Sequence, residues 1–228
     1  KNGRLWNKHF KKRRKLDDGW LAESYQREKI FDGIADAADD DIILFSDSDE
    51  IPNPKKLENL YVDHKFIIFL QNFYVYKINI FNKDETPWEG TRGCKKKFLK
   101  SFTYLRKKIL KKNISKSFWK FYIEKNIKII QDGGWHFNNL YDLELISQKI
   151  KAFPHTEYNI EKYTNLENIK KRIDNLEDLF DRGYKFEKKK IDQSYPEYIQ
   201  KNLHLFKEHM IWKKKLLSQV VLADSEIF

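Results

Sequence analysis

Apolar positions change their spacing several times along the 228-residue chain, and each spacing predicts an element. Ile30, Ile34, Ala37 and Ala38 recur at helical intervals, which predicts an amphipathic helix over about residues 21–38, with Gly33 lowering its propensity. Ile42, Ile43, Leu44 and Phe45 then form a continuous apolar run between polar residues. That is the pattern of a fully buried strand of an α/β sheet. A helix leading straight into a buried strand is half of a βαβ unit.

After Pro52 and Pro54 a short helix is expected near Lys55–Tyr61. Residues 66–81 are dense in β-branched and aromatic types and predict one long strand or two in series. Lys83–Gly93, with Pro87, Gly90 and Gly93, reads as a loop that exposes Trp88. Residues 95–128 are Lys-rich with scattered aromatics and an uncertain helical bias. Ile127–Ile130 predicts a short strand running into Asp132-Gly133-Gly134-Trp135-His136-Phe137. The two glycines there permit positive φ or close approach of the backbone to a ligand. Leu143–Ala152 reads as a helix, and Phe153–Tyr158 as a loop carrying His155 and Glu157. Leu166, Ile169, Ile173, Leu176 and Phe180 mark a helix closed by Arg182-Gly183. A last helix after Pro196 carries Ile199, Leu203, Phe206 and Met210, and Ala223–Phe228 reads as a tail. No repeat or linker divides the chain, so a single domain over residues 1–228 is expected.

Composition narrows the partners. There are 45 Lys plus Arg against 34 Asp plus Glu, a formal net charge of +11. Only 8 of the 45 are Arg, the usual residue for bidentate phosphate and base recognition. The excess is spread along the chain, which fits a basic enzyme for anionic substrates, or simple compositional bias, better than a nucleic-acid binder. The run Lys11–Lys15 reads as solvated surface, with a pyrophosphate or polyanion contact as the functional alternative. Cys94 is the only cysteine, so no intrachain disulfide forms and a reducing compartment is expected. The longest apolar runs are far short of the ~20 residues of a membrane span. The chain opens at Lys1 in mid-pattern, so an N-terminal part is expected to be missing.

The chemistry gathers after the first predicted strand, where Asp47, Asp49 and Glu50 follow Phe45. Ligands of an open α/β sheet bind outside the carboxyl ends of its strands. Alternation along an extended chain puts Asp47 and Asp49 on one side, a pair of hard oxygens suited to a divalent cation that also holds phosphate oxygens. In a nucleotide-sugar transferase such a cation neutralises the departing diphosphate.

Ser46-Asp47-Ser48-Asp49-Glu50-Ile51-Pro52, with Gln26-Arg27 and Asp40-Asp41-Ile42-Ile43 before it, resembles glycosyltransferase family 17. Gly134-Trp135-His136-Phe137, Lys149–Glu157 and Tyr195–Ile199 with Asn202 are similar as well. This is the family of the β-1,4-mannosyl-glycoprotein N-acetylglucosaminyltransferase. The resemblance spans roughly residues 5–210. It implies a GT-A-type, Rossmann-like α/β fold with a mixed central sheet, in which the Asp-x-Asp follows a mid-sheet strand, here lacking part of its N-terminal nucleotide-binding half. On that pattern residues 1–54 close the nucleotide-binding half, and residues 55–215 form the acceptor side and C-terminal helices.

The resemblance also implies an inverting transfer from a nucleotide sugar, UDP-GlcNAc above all, to a glycan hydroxyl, with a glycan or lipid-linked glycan as acceptor. Peripheral membrane association is compatible with such an acceptor. The expected setting is cytoplasmic for a bacterial or viral enzyme and the Golgi lumen for a eukaryotic one. Asp47, Asp49 and Glu50 are the expected metal group for Mn²⁺ or Mg²⁺. Arg27, Asp47 and Trp135 are expected at the donor, and Trp88 at the acceptor. Glu157, Asp132 and His136 are the candidates for catalysis, since an inverting transfer needs one general base. Two other readings compete. A haloacid-dehalogenase-like phosphatase also uses Asp-x-Asp after an apolar strand, but Glu50-Ile51-Pro52 is not its continuation. A non-enzymatic basic nucleic-acid-binding protein would group arginines and aromatics on one face.

Overall fold

A computed structural model describes residues 18–58, 60–152 and 156–211. The basic run Lys11–Lys15, His155 and the segment from Ala223 lie outside the described residues. The chain is a mixed α/β protein around one seven-stranded sheet. Helix α1 (Asp18–Lys29) passes through a 3-10 turn (Ile30–Ile34) into strand β1 (Ile42–Phe45), and β2 (Glu50–Pro52) follows. Asn53 caps the short α2 (Pro54–Leu57) by accepting from the Lys55 amide. The aromatic stretch 66–81 is two strands, β3 (Phe66–Val75) and β4 (Ile80–Asn82), with Tyr76 at φ 60° between them.

Two expectations are corrected here. Trp88–Lys95 is not a loop but strand β5, held between β1 and β3. Its Glu, Gly and Arg residues hide the strand pattern, and pairing on both edges overrides their weak β-propensity. Strand β1 is not a fully buried mid-sheet strand either. Among the described residues it pairs only with β5, antiparallel, and Ile42 is exposed.

Strand β3 is the axis of the sheet. From Phe66 to Gln71 one edge pairs with β5, and at Tyr74 the same edge passes to β4, which pairs in turn with β7 (Phe186–Lys188). The other edge pairs in parallel with β6 (Ile127–Asn138), which carries β2 on its far side. This is the one parallel pair among the named strands, so the sheet is mostly antiparallel. Strand β6 bulges where its register with β3 shifts, with Asp132 at φ 49°. A Cβ on Gly133 would lie 2.8 Å from the Phe69 Cβ, and one on Gly134 (φ 139°) would lie 2.0 Å from the Ile51 carbonyl oxygen. These two glycines let three backbones close together at the bulge.

Three apolar cores fix the sheet. Strands β1, β3 and β5 pack against α3 (Phe102–Lys108), whose N-cap Ser101 accepts from the Tyr104 amide. Phe73 and Val75 of β3 face α4 (Leu143–Ala152) and α6 (Leu166–Asp174), which are joined by the short α5 (Glu161–Thr164). Tyr74, Trp135 and Phe137 point the other way, onto Tyr195 and Ile199 of the segment around α7 (Glu197–Lys201). Helix α6 stops before the predicted Phe180, because Leu176 turns to φ 60°. Beyond α7 the chain continues as a 3-10 segment, Leu203–His209, rather than as one helix.

Candidate active site

The carboxylate loop joins β1 to β2 and is held from below by side chains. The Ser46 hydroxyl lies 2.7 Å from the Thr91 hydroxyl of β5, and Gln71 Nε2 of β3 donates to that same hydroxyl at 3.1 Å. The loop then closes on itself. The Glu50 amide donates to the Asp47 carbonyl at 2.9 Å, and the Asp47 amide donates to Glu50 Oε2 at 3.2 Å.

Glu50 is the anchor. Its side chain is fully buried, and a carboxylate in that position must be paired and hydrogen-bonded. Trp88 Nε1 donates to its Oε1 at 2.8 Å, and Arg106 Nη2 donates to the same oxygen at 2.6 Å. The same Arg106 nitrogen is 2.7 Å from Asp47 Oδ2. Arg106 Nη1 donates to the Gly90 carbonyl at 3.1 Å, which fixes the guanidinium over the end of β5. Arg27 Nη2 approaches Asp47 Oδ1 at 3.9 Å and donates to Glu23 at 2.6 Å, while its Nη1 is buried without a protein partner. Arg92 lies beside this group, and burial pulls its pKa down to about 10, with the nearby Arg106 charge acting in the same direction.

Residues 47–50 form a turn, not the extended stretch expected to set both aspartates on one side by alternation, and Asp49 takes a different partner from Asp47. His136 Nε2 is 3.3 Å from Asp49 Oδ2, and the Asp49 carbonyl accepts from the Phe137 amide at 2.9 Å. Burial works against the Asp49 charge, but the His136 hydrogen bond and the His136 and Lys149 charges outweigh it, so its pKa is lowered. The His136 ring is buried, stacks on Phe73 at 4.2 Å and lies 4.8 Å from Trp88. Its Nδ1 is buried without a partner.

Two cavities flank Trp88. One, of about 450 Å³, is walled by Phe73, Tyr158, Phe180 and His136, with Asn138 and Lys149 as polar groups. The other, of about 400 Å³, is lined by Arg92, Arg106, Glu89 and Leu110. Glu85 and Trp88 line both. Both volumes suit a small ligand. Glu85 is the only carboxylate on the wall of the larger cavity, and its loop is pinned by the Phe73 amide donating to Thr86 Oγ1 at 3.1 Å.

The structure brings together Arg27, Asp47, Asp49, Glu50, Trp88 and His136. It does not bring Trp135 to them. That ring is on the other face of β6, in the core with Tyr74, and its Nε1 donates to the Ser194 carbonyl at 2.7 Å. Alternation along a strand requires this once His136 faces the loop. Asp132 is exposed at the β6 bulge, four residues before His136, roughly 10 Å or more along the strand. Glu157 is exposed in a 3-10 turn and lines neither cavity, although Tyr158 beside it does.

Arg106, Arg92, Glu85 and Lys149 were not singled out by sequence reasoning. Arg106 sits in the Lys-rich stretch and reads there as one more surface cation. Its signal is its type: arginine is scarce in this chain, and it is the cation best suited to buried carboxylates. Three of the five described arginines, Arg27, Arg92 and Arg106, surround this loop.

No cluster of three His, Cys, Asp or Glu side chains able to hold a metal forms among the described residues. Both Glu50 oxygens are engaged, so it is not free to ligate. Asp47 and Asp49 each keep about a third of their surface, 33% and 29%. Two partly exposed carboxylates on one loop could hold a hard cation whose remaining shell came from other oxygens.

No curated protein and no solved structure matches the chain. One family model does, glycosyltransferase family 17, over residues 2–193. That match covers most of the chain, including the carboxylate loop, Arg106, both cavities and His136. The protein therefore belongs to glycosyltransferase family 17, enzymes that move a sugar from a donor to an acceptor.

Proposed function

We propose that the chain is a metal-dependent, inverting glycosyltransferase of the GT-A type that moves GlcNAc from UDP-GlcNAc to a glycan hydroxyl. The observation that carries this reading is the loop Asp47–Glu50, held between Arg27, Arg106 and His136, of which Arg106 lines the smaller cavity and His136 the larger. Asp49 and Asp47 would hold Mn²⁺ or Mg²⁺, which when bound offsets the charge of the leaving diphosphate.

The protein's own groups supply the rest. Arg27 has a buried N–H without a protein acceptor, so it suits a phosphate oxygen. Arg106 and Arg92 line the smaller cavity beside Glu85 and Glu89 and bring guanidinium groups, the usual partners of phosphate oxygens, to its wall. The larger cavity offers aromatic faces with amide and amine groups at its edge, a lining suited to a sugar ring. Glu85 is the carboxylate on that wall and best suits the base that takes the proton of the attacking hydroxyl. His136 holds Asp49 in place and offers its free Nδ1 to a sugar hydroxyl.

The test is UDP release from a panel of nucleotide sugars, with methyl glycosides as acceptors and with Mn²⁺ or EDTA. Turnover is expected only with metal and to fall at least about a hundredfold in Asp49→Ala. Undiminished turnover in Asp49→Ala, or in EDTA, refutes the proposed metal site. Glu85→Gln, Glu157→Gln and Asp132→Asn in the same assay decide the base, since only loss of the base lowers turnover a hundredfold while donor affinity stays unchanged.

A further inference from the structure

The connection from α3 to β6 displays side chains that the fold does not use. Phe118, Trp119, Phe121 and Tyr122 are 62%, 70%, 84% and 82% exposed, and Ile114 nearby is 44% exposed. Exposed apolar residues scattered singly need no explanation, but a contiguous patch of this kind marks an interaction surface.

The loop is built rather than loose. Asn113 is buried and donates from Nδ2 to the Lys108 carbonyl at 2.7 Å. Lys125 Nζ donates to the Ser117 and Phe118 carbonyls at 2.8 and 3.3 Å, tying the far side of the loop to its tip. Turns close from Lys116 to Asn113, from Lys120 to Ser117 and from Ile123 to Lys120. The Phe118 and Trp119 rings pack on one another at 3.8 Å, yet both still face solvent.

The charge around the rings selects the partner. Residues 111–125 carry Lys111, Lys112, Lys116, Lys120 and Lys125 and a single acid, Glu124, which faces Lys65 at 3.8 Å. A second copy would bring the same positive loop, and like charges repel. A nucleic acid would call for arginines among the rings, and this stretch has none. Trp, Tyr and Phe flanked by lysines are the residues that settle at a bilayer interface, with lysines drawn to anionic headgroups.

We propose that this loop docks the protein on an anionic membrane surface, with Phe118, Trp119, Phe121 and Tyr122 entering the headgroup–acyl boundary and Lys112, Lys116 and Lys120 contacting lipid charge. Leu110, on the wall of the smaller cavity, is the residue just before the loop, so docking sets that cavity beside the bilayer. This placement suits an acceptor carried on a lipid. That consequence rests on the transferase reading; the docking itself does not.

The test is co-sedimentation of the full chain with vesicles of phosphatidylcholine, alone or mixed with phosphatidylglycerol. The protein is expected to pellet with the mixed vesicles and to be released by high salt. Replacing the four aromatics by Ser is expected to lower partitioning more than tenfold without moving the melting temperature. Lys112→Gln, Lys116→Gln and Lys120→Gln together provide a second, independent variant, with about fivefold loss expected for each lysine near the surface. The proposal is overturned if the wild type stays in the supernatant, or if both variants pellet as well as the wild type. It is equally overturned if analytical ultracentrifugation shows a dimer that the serine variant abolishes, or if binding to oligouridylate, and not to vesicles, is what both variants lose.

Discussion

The clamp made by Arg106 is open to a sharp test. Its Nη2 bridges Glu50 and Asp47 at 2.6 and 2.7 Å, and Glu50 has no solvent to fall back on. In Arg106→Met the Glu50 carboxylate stays buried and keeps only the Trp88 and Asp47 N–H donors. Breaking a buried pair by removing one partner costs about 3–5 kcal/mol, and the surviving donors place this case near the lower bound. With an m-value of about 3 kcal/mol/M, a loss of about 3 kcal/mol lowers the urea midpoint by roughly 1 M.

Glu50→Gln supplies the control that separates charge from packing. In the wild type it weakens the pairing with Arg106 and destabilises. In Arg106→Met it removes the uncompensated charge, so there it is expected to stabilise. This reversal of sign is the signature of a charge pair in a double-mutant cycle. Urea unfolding followed by tryptophan fluorescence, with m unchanged across the four proteins, measures it. If Glu50→Gln has the same sign and size in both backgrounds, or if Arg106→Met stays within about 1 kcal/mol of wild type, Arg106 does not hold the loop as argued.

Other parts of the structure give further expectations. Trp88→Phe keeps the ring packed on Phe73 but removes the donor to Glu50, and is expected to cost about 1–3 kcal/mol by urea unfolding. Gly134→Ala puts a methyl group against the Ile51 carbonyl at a positive φ, and is expected to cost at least about 2 kcal/mol and to lower turnover, because β2 continues the carboxylate loop. Burial raises the Cys94 thiol from its ordinary 9.0 to about 12. The unfolded chain therefore loses this proton first, and stability is expected to fall as pH rises above 9; Cys94→Ala should lack that component in a comparison of unfolding midpoints at pH 8 and pH 10. Cys94 is also fully buried, so its labelling by a thiol reagent should proceed only at the rate of opening.

How much of this was legible in the sequence follows from which signals are local. Strand β1, helix α4 and the dense aromatic strands are continuous or strictly periodic, and their patterns place them. The loop Asp47–Glu50 is a contiguous motif, and so is Gly134–Phe137, so both could be read directly. Strand β5 could not, because its identity as a strand comes from β1 and β3 on its two edges and not from its own residues. Strand β7 is three residues long and exists by pairing with β4. The sign of alternation along β6 was equally hidden. Either Trp135 or His136 faces the loop, and only the parallel register with β3 decides for His136. Arg106 pairs with Glu50 across 56 positions of sequence, and within its helix only its type, arginine ahead of lysines, marks it out.

The division of labour among the three carboxylates explains why the loop needs arginines as well as any cation. Glu50 is sealed, with its partners all supplied by the protein, so it fixes the backbone of the loop whether or not substrate is present. Asp47 and Asp49 remain partly solvated and differ in their counter-charges, guanidinium for one and imidazole for the other. A guanidinium is always charged, so Asp47 stays neutralised at any working pH. The half-buried Lys149 amine, whose pKa burial lowers, leaves the Asp49 end the more easily altered of the two. A dianionic or trianionic ligand arriving at this loop would therefore meet fixed positive charge on the Asp47 side. Its own excess charge would have to be met on the Asp49 side, and under the proposed metal-dependent reaction that is where loss of the cation should tell most.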